Sequence, residues 1–422
     1  MAKTFSKILI TILLLVGIFL GYFSLVGFET KRFNTQIKEN LKKINNNFDV
    51  KLNDVKIVLD LFNLKIKAKT LGPVISYNNR LIDIELIKSN ISLTNFFYKE
   101  FSLSNLFIST KSVKLKDLVS FLRSLRNDNK AELFIIENFI DKGYLIADIT
   151  LNFDDQGKVK DDLKINGFVK DATINFFNKG KIEKINFIFE TKNKILDIDN
   201  LKFLYEEVNF SSKKIKLKNK DNYLNIEGEI ENNEVVLSDQ PLKNFFKPLL
   251  DIDFEKLKFS SKNIFSIKID DSYEIIDYAI KSSLNINELI INKDIDIQNI
   301  FPNFKSQIKL LNHQTEIIYK NNDLSINGNG NFLIQENYDK ANYKIEKVKD
   351  HHLFKIKFDF INNPIKLNFL NYKINDQSEV SLRLDGKLNK DKSLYFKKIK
   401  FKNSNDSIII DDLALTNDFK IS

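Results

Sequence analysis

The chain contains no cysteine in 422 residues. That excludes a disulfide framework, a thiolate zinc site and a cysteine nucleophile. Tryptophan is also absent, methionine occurs only at position 1, and histidine occurs three times, at His313, His351 and His352. None of the three has a metal-ligand spacing, and the adjacent His351 and His352 would point to opposite sides of a strand. No phosphate-binding loop, nucleophile elbow, zinc-protease motif or dinucleotide fingerprint is present. Acidic pairs such as Asp154–Asp155, Asp161–Asp162 and Asp411–Asp412 fall in turn-like contexts, where solvation explains them. The expectation is a protein that is not an enzyme and carries no catalytic residue, metal or cofactor. With 5 prolines and 12 glycines, collagen-like, linker-rich and glycine-dense architectures are excluded as well.

What is present is foldable. Hydrophobic residues make up 43% and charged residues 29%, and 37 phenylalanines carry the bulky apolar load. The net charge is +9, but Asp and Glu are interspersed with Lys throughout. This reads as a solvated strand face with excess lysine. The aromatic residues fall on apolar faces away from the lysines, which argues against base stacking, so no nucleic-acid partner is expected.

Residues 8–28, ILITILLLVGIFLGYFSLVGF, form 21 residues without a charge. As a helix at ~1.5 Å per residue they span about 30 Å, the thickness of a bilayer core. The run is long for a signal peptide, and no small-residue cleavage site follows, so an uncleaved anchor is expected within residues 1–30. Its orientation stays open by charge count. Lys3 and Lys7 precede it, while Lys31, Arg32, Lys38, Lys42 and Lys43 follow. Phe33, Ile37, Leu41, Ile44 and Phe48 then predict an amphipathic helix within 31–49.

From about residue 50 the period changes to two. Residues 354–360, FKIKFDF, place Phe354, Ile356, Phe358 and Phe360 on one strand face, with Lys355, Lys357 and Asp359 on the other. Ile185, Phe187 and Phe189 repeat the pattern, as do Phe265, Ile267 and Ile269. The pattern predicts antiparallel strands over 50–422. Helices are expected at 115–125, 133–142 and 240–250, and a connecting turn at 297–304. A motif of alternating apolar and polar residues ending in glycine recurs in LKINGFV, LNIEGEI, LSINGNG and LRLDGKL. It predicts bulges or bends, and coarse repeats from about residue 135.

Three partners can satisfy the apolar faces: a second sheet, as in a sandwich; lipid, as around a transmembrane barrel; or acyl chains along a single-layer groove. A barrel conflicts with a helical anchor. The chain resembles the AsmA-like family (the AsmA, TamB and YhdP type) in its anchor at 8–28, in ISLTNFFYKEFSLSNLFIST at 91–110, and in the segment 135–176. The family's glycine-rich carboxy-terminal repeats are missing. The resemblance implies a mainly β chain, with one N-terminal transmembrane helix followed by an elongated, curved antiparallel β-groove with a few short helices. It implies single-pass anchoring in the inner membrane of a Gram-negative bacterium, with the β-domain in the periplasm. The implied role is binding or transferring membrane phospholipids in support of the outer membrane. Ile185, Phe187, Phe189, Phe265, Ile267, Ile269, Phe354, Ile356, Phe358 and Phe360 are then the candidate groove residues. The alternative is a non-enzymatic scaffold or assembly factor that binds envelope protein partners.

Overall fold

The computed structural model describes residues 2–44, 47–78, 80–98, 102–125, 131–160, 162–175, 180–192, 195–220, 222–238, 254–272, 274–292, 298, 300–304, 306–367, 372–374, 379–391, 393–404 and 406–416. The chain is mainly β. Among the described residues, twenty-three strands belong to one antiparallel sheet that is not closed, and two more form a separate hairpin. By compactness the chain divides into two units, 1–203 and 204–422.

The first unit opens with α1 (Ala2–Leu25), β1 (Phe28–Thr30) and α2 (Arg32–Ile44). The strands β2 (Phe48–Lys51), β3 (Val55–Asp60), β4 (Lys65–Leu71), β5 (Val74–Tyr77) and β6 (Arg80–Ser92) come next. Then follow α3 (Leu93–Phe97), β7 (Leu103–Thr110), β8 (Val113–Lys114), α4 (Leu115–Leu125) and α5 (Ala131–Phe139). The unit continues through β9 (Ile140–Asn152), β10 (Lys164–Asn175), β11 (Lys181–Lys192) and β12 (Ile195–Tyr205). Its ladder runs β1–β3–β4–β6–β7–β9–β10–β11, with β5 and then β2 continuing from the first half of β6.

The helix α1 is long and apolar enough to cross a membrane. It stops three residues before the apolar run does. Gly27 takes a left-handed conformation (φ +70°), and Val26 and Gly27 both donate to the Tyr22 carbonyl. Only glycine adopts that cap without strain. The helix α4 has the bounds its apolar spacing predicts. Its Phe121 and Leu118 lie on Ile82, Ile84, Val113 and Tyr77, so a helix covers part of this unit's apolar sheet face. The following helix begins two residues before the expected 133–142 and stops three residues short of its end, because Ile140 is already paired with Ile174 of β10.

The second unit is a meander: β13 (Val208–Lys220), β14 (Tyr223–Ser238), β15 (Phe254–Asp270), β16 (Ile275–Asn292), β17 (Gln307–Lys320), β18 (Asp323–Leu333), β19 (Tyr338–Val348) and β20 (His351–Phe360). The hairpin β21 (Ile365–Leu367) and β22 (Tyr372–Ile374) precedes β23 (Val380–Leu388), β24 (Leu394–Lys402) and β25 (Ser407–Leu415). Strand β20 pairs directly with β23 across this insertion. Scarce proline permits long strands, 17 residues in β15 and 18 in β16, since each backbone N–H stays available to the ladder. The helix expected at 240–250 lies outside the described residues. The turn expected at 297–304 is present in its last residues, 301–304.

Candidate functional site

Directly opposed residues of an antiparallel ladder share a face. On β20, Phe354 opposes Ile345 and Gly386, Ile356 opposes Tyr343 and Leu384, and Phe358 opposes Ala341 and Leu382. The row through Phe354 continues from Ile345 to Ile326 and Ile317. Lys355, Lys357 and Asp359 oppose Lys344, Asn342 and Lys340 on one side. The two faces of this strand therefore differ as the alternation requires.

Phe354, Ile356 and Phe358 are partly exposed. Strands β19, β20, β23 and β24 make their extensive contacts with ladder neighbours alone. Among the described residues, no second layer lies over Phe354 and Ile356, whereas Phe358 packs against the buried cluster at the strand end. The strand end is different. Phe360 is 2% exposed, packed with Phe332, Ile365, Val380 and Phe401, and the Phe301 ring lies 5.5 Å from its own. The buried Asp339 carboxylate holds this cover down. It accepts from the Ile361 N–H (2.8 Å), the Asn362 N–H (3.0 Å) and the Asn363 side-chain amide (2.7 Å), fixing the turn that leads into β21. Phe360 is therefore a core residue under a lid and does not line an open groove.

Phe265, Ile267 and Ile269 lie on the same face as Phe354. Asn263, two residues from Phe265, connects through Ser282, Ile317, Ile326 and Ile345 to Phe354. Five strand spacings of ~4.8 Å separate them, about 24 Å, so the two groups share a face without touching. In the first unit, Phe187 and Phe189 are partly exposed, their ring centroids 6.2 Å apart. Ile185, in contrast, is buried at 6% with Val169 and Ala172, and Leu115 of α4 packs against that cluster. Like Phe360, it is a core residue.

The recurring glycines share a place in the ladder. Gly167, Gly228, Gly328 and Gly386 stand directly opposite Phe189, Phe265, Tyr343 and Phe354. A Cβ at Gly328 or Gly386 would collide with the opposed ring, one at Gly228 would meet the Ile215 side chain before the Phe265 ring, and one at Gly167 would strike the backbone of Ile146 and Ala147. Gly328 and Gly386 therefore make room for aromatic side chains on the apolar face. Gly228 and Gly386 border register shifts, whereas Gly167 sits in regular pairing. The expected bulge is thus a companion of the motif at two sites and not its cause.

Sequence reasoning missed one polar group within this face. His313 is 1% exposed, its ring over Gly330, and its Nε2 lies 2.9 Å from the Asn331 carbonyl. A carbonyl only accepts, so Nε2 carries the proton. The Tyr343 hydroxyl lies 2.8 Å from Thr315 Oγ1 and 3.4 Å from His313 Nδ1. Burial holds the His313 pKa below its ordinary value and pushes Tyr343 above its own, so both are neutral near pH 7. The signal in the sequence was the pair Gly328 and Gly330, two residues apart on one face.

The opposite face carries a concavity of about 1000 Å³. One of its rows runs Asn285, Gln314, Asn329, Asn342 and then Lys357, Arg383, Lys400. Among the described residues no group of three or more His, Asp or Glu is placed to hold a metal ion. Comparison of the chain with protein-family models, with curated proteins and with solved structures returned no match.

Proposed function

We propose that this chain is a membrane-anchored lipid-binding protein that shelters acyl chains on its apolar sheet face and serves phospholipid transfer. The observation that carries the reading is the state of Phe354, Ile356 and Phe358. They are bulky and apolar and aligned with apolar neighbours; Phe354 and Ile356 have no covering layer among the described residues, and Phe358 leads from them to the sealed cluster at the strand end. Contiguous exposed apolar surface marks an interaction site. Each lipid CH₂ laid on such a surface gains up to ~0.8 kcal/mol, and no catalytic group is needed. Headgroups would stay in water. The placement in this proposal, α1 in an inner membrane and the sheet in the periplasm, is supported by the resemblance to AsmA-like proteins.

A second reading, a scaffold for an envelope protein, is favoured by one observation. Among the described residues β25 has a ladder partner on one side only, which leaves an edge that an added strand can pair with. Photo-crosslinking in cells separates the two. A crosslinker at position 356 or 358 should capture phospholipid. One at 355 or 357, on the other face, and one at the sealed position 360 should not. A folded protein that yields no lipid adduct at any partly exposed apolar position would reject lipid binding in favour of the scaffold.

A further inference from the structure

The β3–β4 hairpin has an unusual tip. Its residues 61–64 read Leu-Phe-Asn-Leu, where tight turns ordinarily carry Gly, Asn, Asp or Pro. Phe62 is 98% exposed, Leu64 50% and Leu61 37%. Thirteen described non-glycine residues have positive φ, and Leu64 (φ +48°) is the one apolar residue among them. A leucine there is strained where asparagine or glycine would be comfortable. The fold thus tolerates a backbone cost in order to present an apolar side chain outward.

Polar groups at the tip are satisfied from within. Asp60 is ion-paired with Lys67 (2.7 Å) and accepts from both the backbone N–H and the side-chain amide of Asn63, at 3.1 and 3.0 Å. These bonds hold the Asp60 carboxyl well below the usual carboxylate range. The Leu64 carbonyl accepts from the Leu93 N–H at 2.9 Å, which ties the tip to the segment ending at Tyr98, itself 78% exposed.

Topology fixes where this fringe lies. β1 pairs with β3 antiparallel, Phe28 opposite Ile57 and Thr30 opposite Val55. Moving back from Thr30 to α1 is therefore moving forward along β3 toward Phe62. α1 lies against β3, and a Cβ on Gly27 would strike Ile57 and Val58. The hairpin thus leaves the sheet on the side from which α1 arrives, beside the end of the helix, where Leu25 is 87% exposed and Val26 49%. In a protein anchored by α1, that level is the bilayer interface, where apolar and Tyr side chains are at home.

We infer that the β3–β4 hairpin tip, Leu61, Phe62 and Leu64, together with Tyr98, dips into the leaflet from which α1 emerges. The partner is the bilayer itself, held by insertion of apolar side chains. The half-buried apolar residues of the same sheet end, Leu59, Ile66, Ile91 and Leu103, then begin at the membrane surface. An acyl chain can pass onto the sheet there without crossing open water.

The inference rests on α1 being an anchor, and the absence of tryptophan allows both to be read with one probe. Single variants Phe62→Trp, Phe19→Trp and Ile318→Trp of the full chain are placed in nanodiscs with and without brominated phospholipid. Phe62 is almost fully exposed, so its variant keeps the fold. The expected result is quenched, blue-shifted emission for F62W as for F19W, and no quenching for I318W, whose site is exposed on the second unit. Quenching of F19W without F62W overturns hairpin insertion and leaves the anchor standing. If F19W is unquenched, the anchor falls and the inference falls with it.

Discussion

The two units present the same kind of strand and cover it differently. In the first, α4 lies on the sheet, and Phe121 fills the space over Ile84 and Val113. In the second, no helix is found among the described residues, and the apolar side chains lean on their ladder neighbours. There the packing comes from a buried cluster of strand residues around Val208, Leu237, Leu257 and Phe259, from rings laid over glycines and from a lid at one strand end. Apolar alternation alone does not dictate a second layer. Over Ile84 and over Phe360 the face is sealed by what the chain inserts between strands, a helix in one unit and a short hairpin in the other.

The largest test of this contrast compares two phenylalanines. Phe121→Ala removes a side chain that is 8% exposed and should cost about 3–5 kcal/mol. Phe354→Ala removes a partly exposed ring and should cost about 1–2 kcal/mol, since part of its surface already meets solvent. Denaturant melts of the two variants measure both. Equal losses would mean that the Phe354 face is covered by something in solution.

Much of this was legible in the sequence, and the limit has a physical form. The bounds of α4 and the faces of FKIKFDF follow from periods of 3.6 and 2, which are local properties of the backbone. Phe354 and Phe360 sit in the same local pattern, yet one is partly open and the other is sealed. The difference comes from Phe301 and Ile365, which arrive from other parts of the chain. Ile185 is sealed in the same way by Leu115, seventy residues earlier in sequence. The glycine motif and the phenylalanine pattern were both visible, but that they are opposite members of the same pairs is a fact of register, which no single strand encodes. At Leu61–Leu64 the turn carries three apolar residues where turn chemistry is ordinarily polar.

A middle-sized effect tests the ring-over-glycine packing. Gly328→Ala places a methyl against the Tyr343 ring and displaces a hydroxyl that is 2.8 Å from Thr315. A loss of about 1–3 kcal/mol is expected, as for an overpacked core. The matched change in the first unit, Gly21→Ala, meets nothing within 4 Å and should leave the melt unchanged or slightly raised. A neutral Gly328→Ala would show that the ring moves aside freely and that the glycine is dispensable.

The smallest effect lies on the polar faces, where each unit has a row of like charges. In the first, Lys56, Lys69 and Lys88 oppose one another, but Glu29 opposes Lys56, and Lys88 stands over the Phe107 ring at 5.5 Å. In the second, Lys357, Arg383 and Lys400 are opposed in sequence across three strands. Lys357 has Asp359 at 2.7 Å, while Arg383 and Lys400 have no ion pair among the described residues. Directly opposed like charges are unfavourable, and the first row is compensated where the second is not. Lys400→Glu converts its repulsion with Arg383 into attraction. It should stabilise the protein by a few tenths of a kcal/mol, roughly 1 °C in Tm, because solvent screens these side chains. Lys56→Glu should not, since it sets a carboxylate opposite Glu29. The gain from Lys400→Glu should shrink as salt is raised past ~0.1 M, where the screening length falls below about 10 Å. A gain that ignores salt would have another origin, and a loss would show that the long cationic stems splay apart into water and feel no repulsion to relieve.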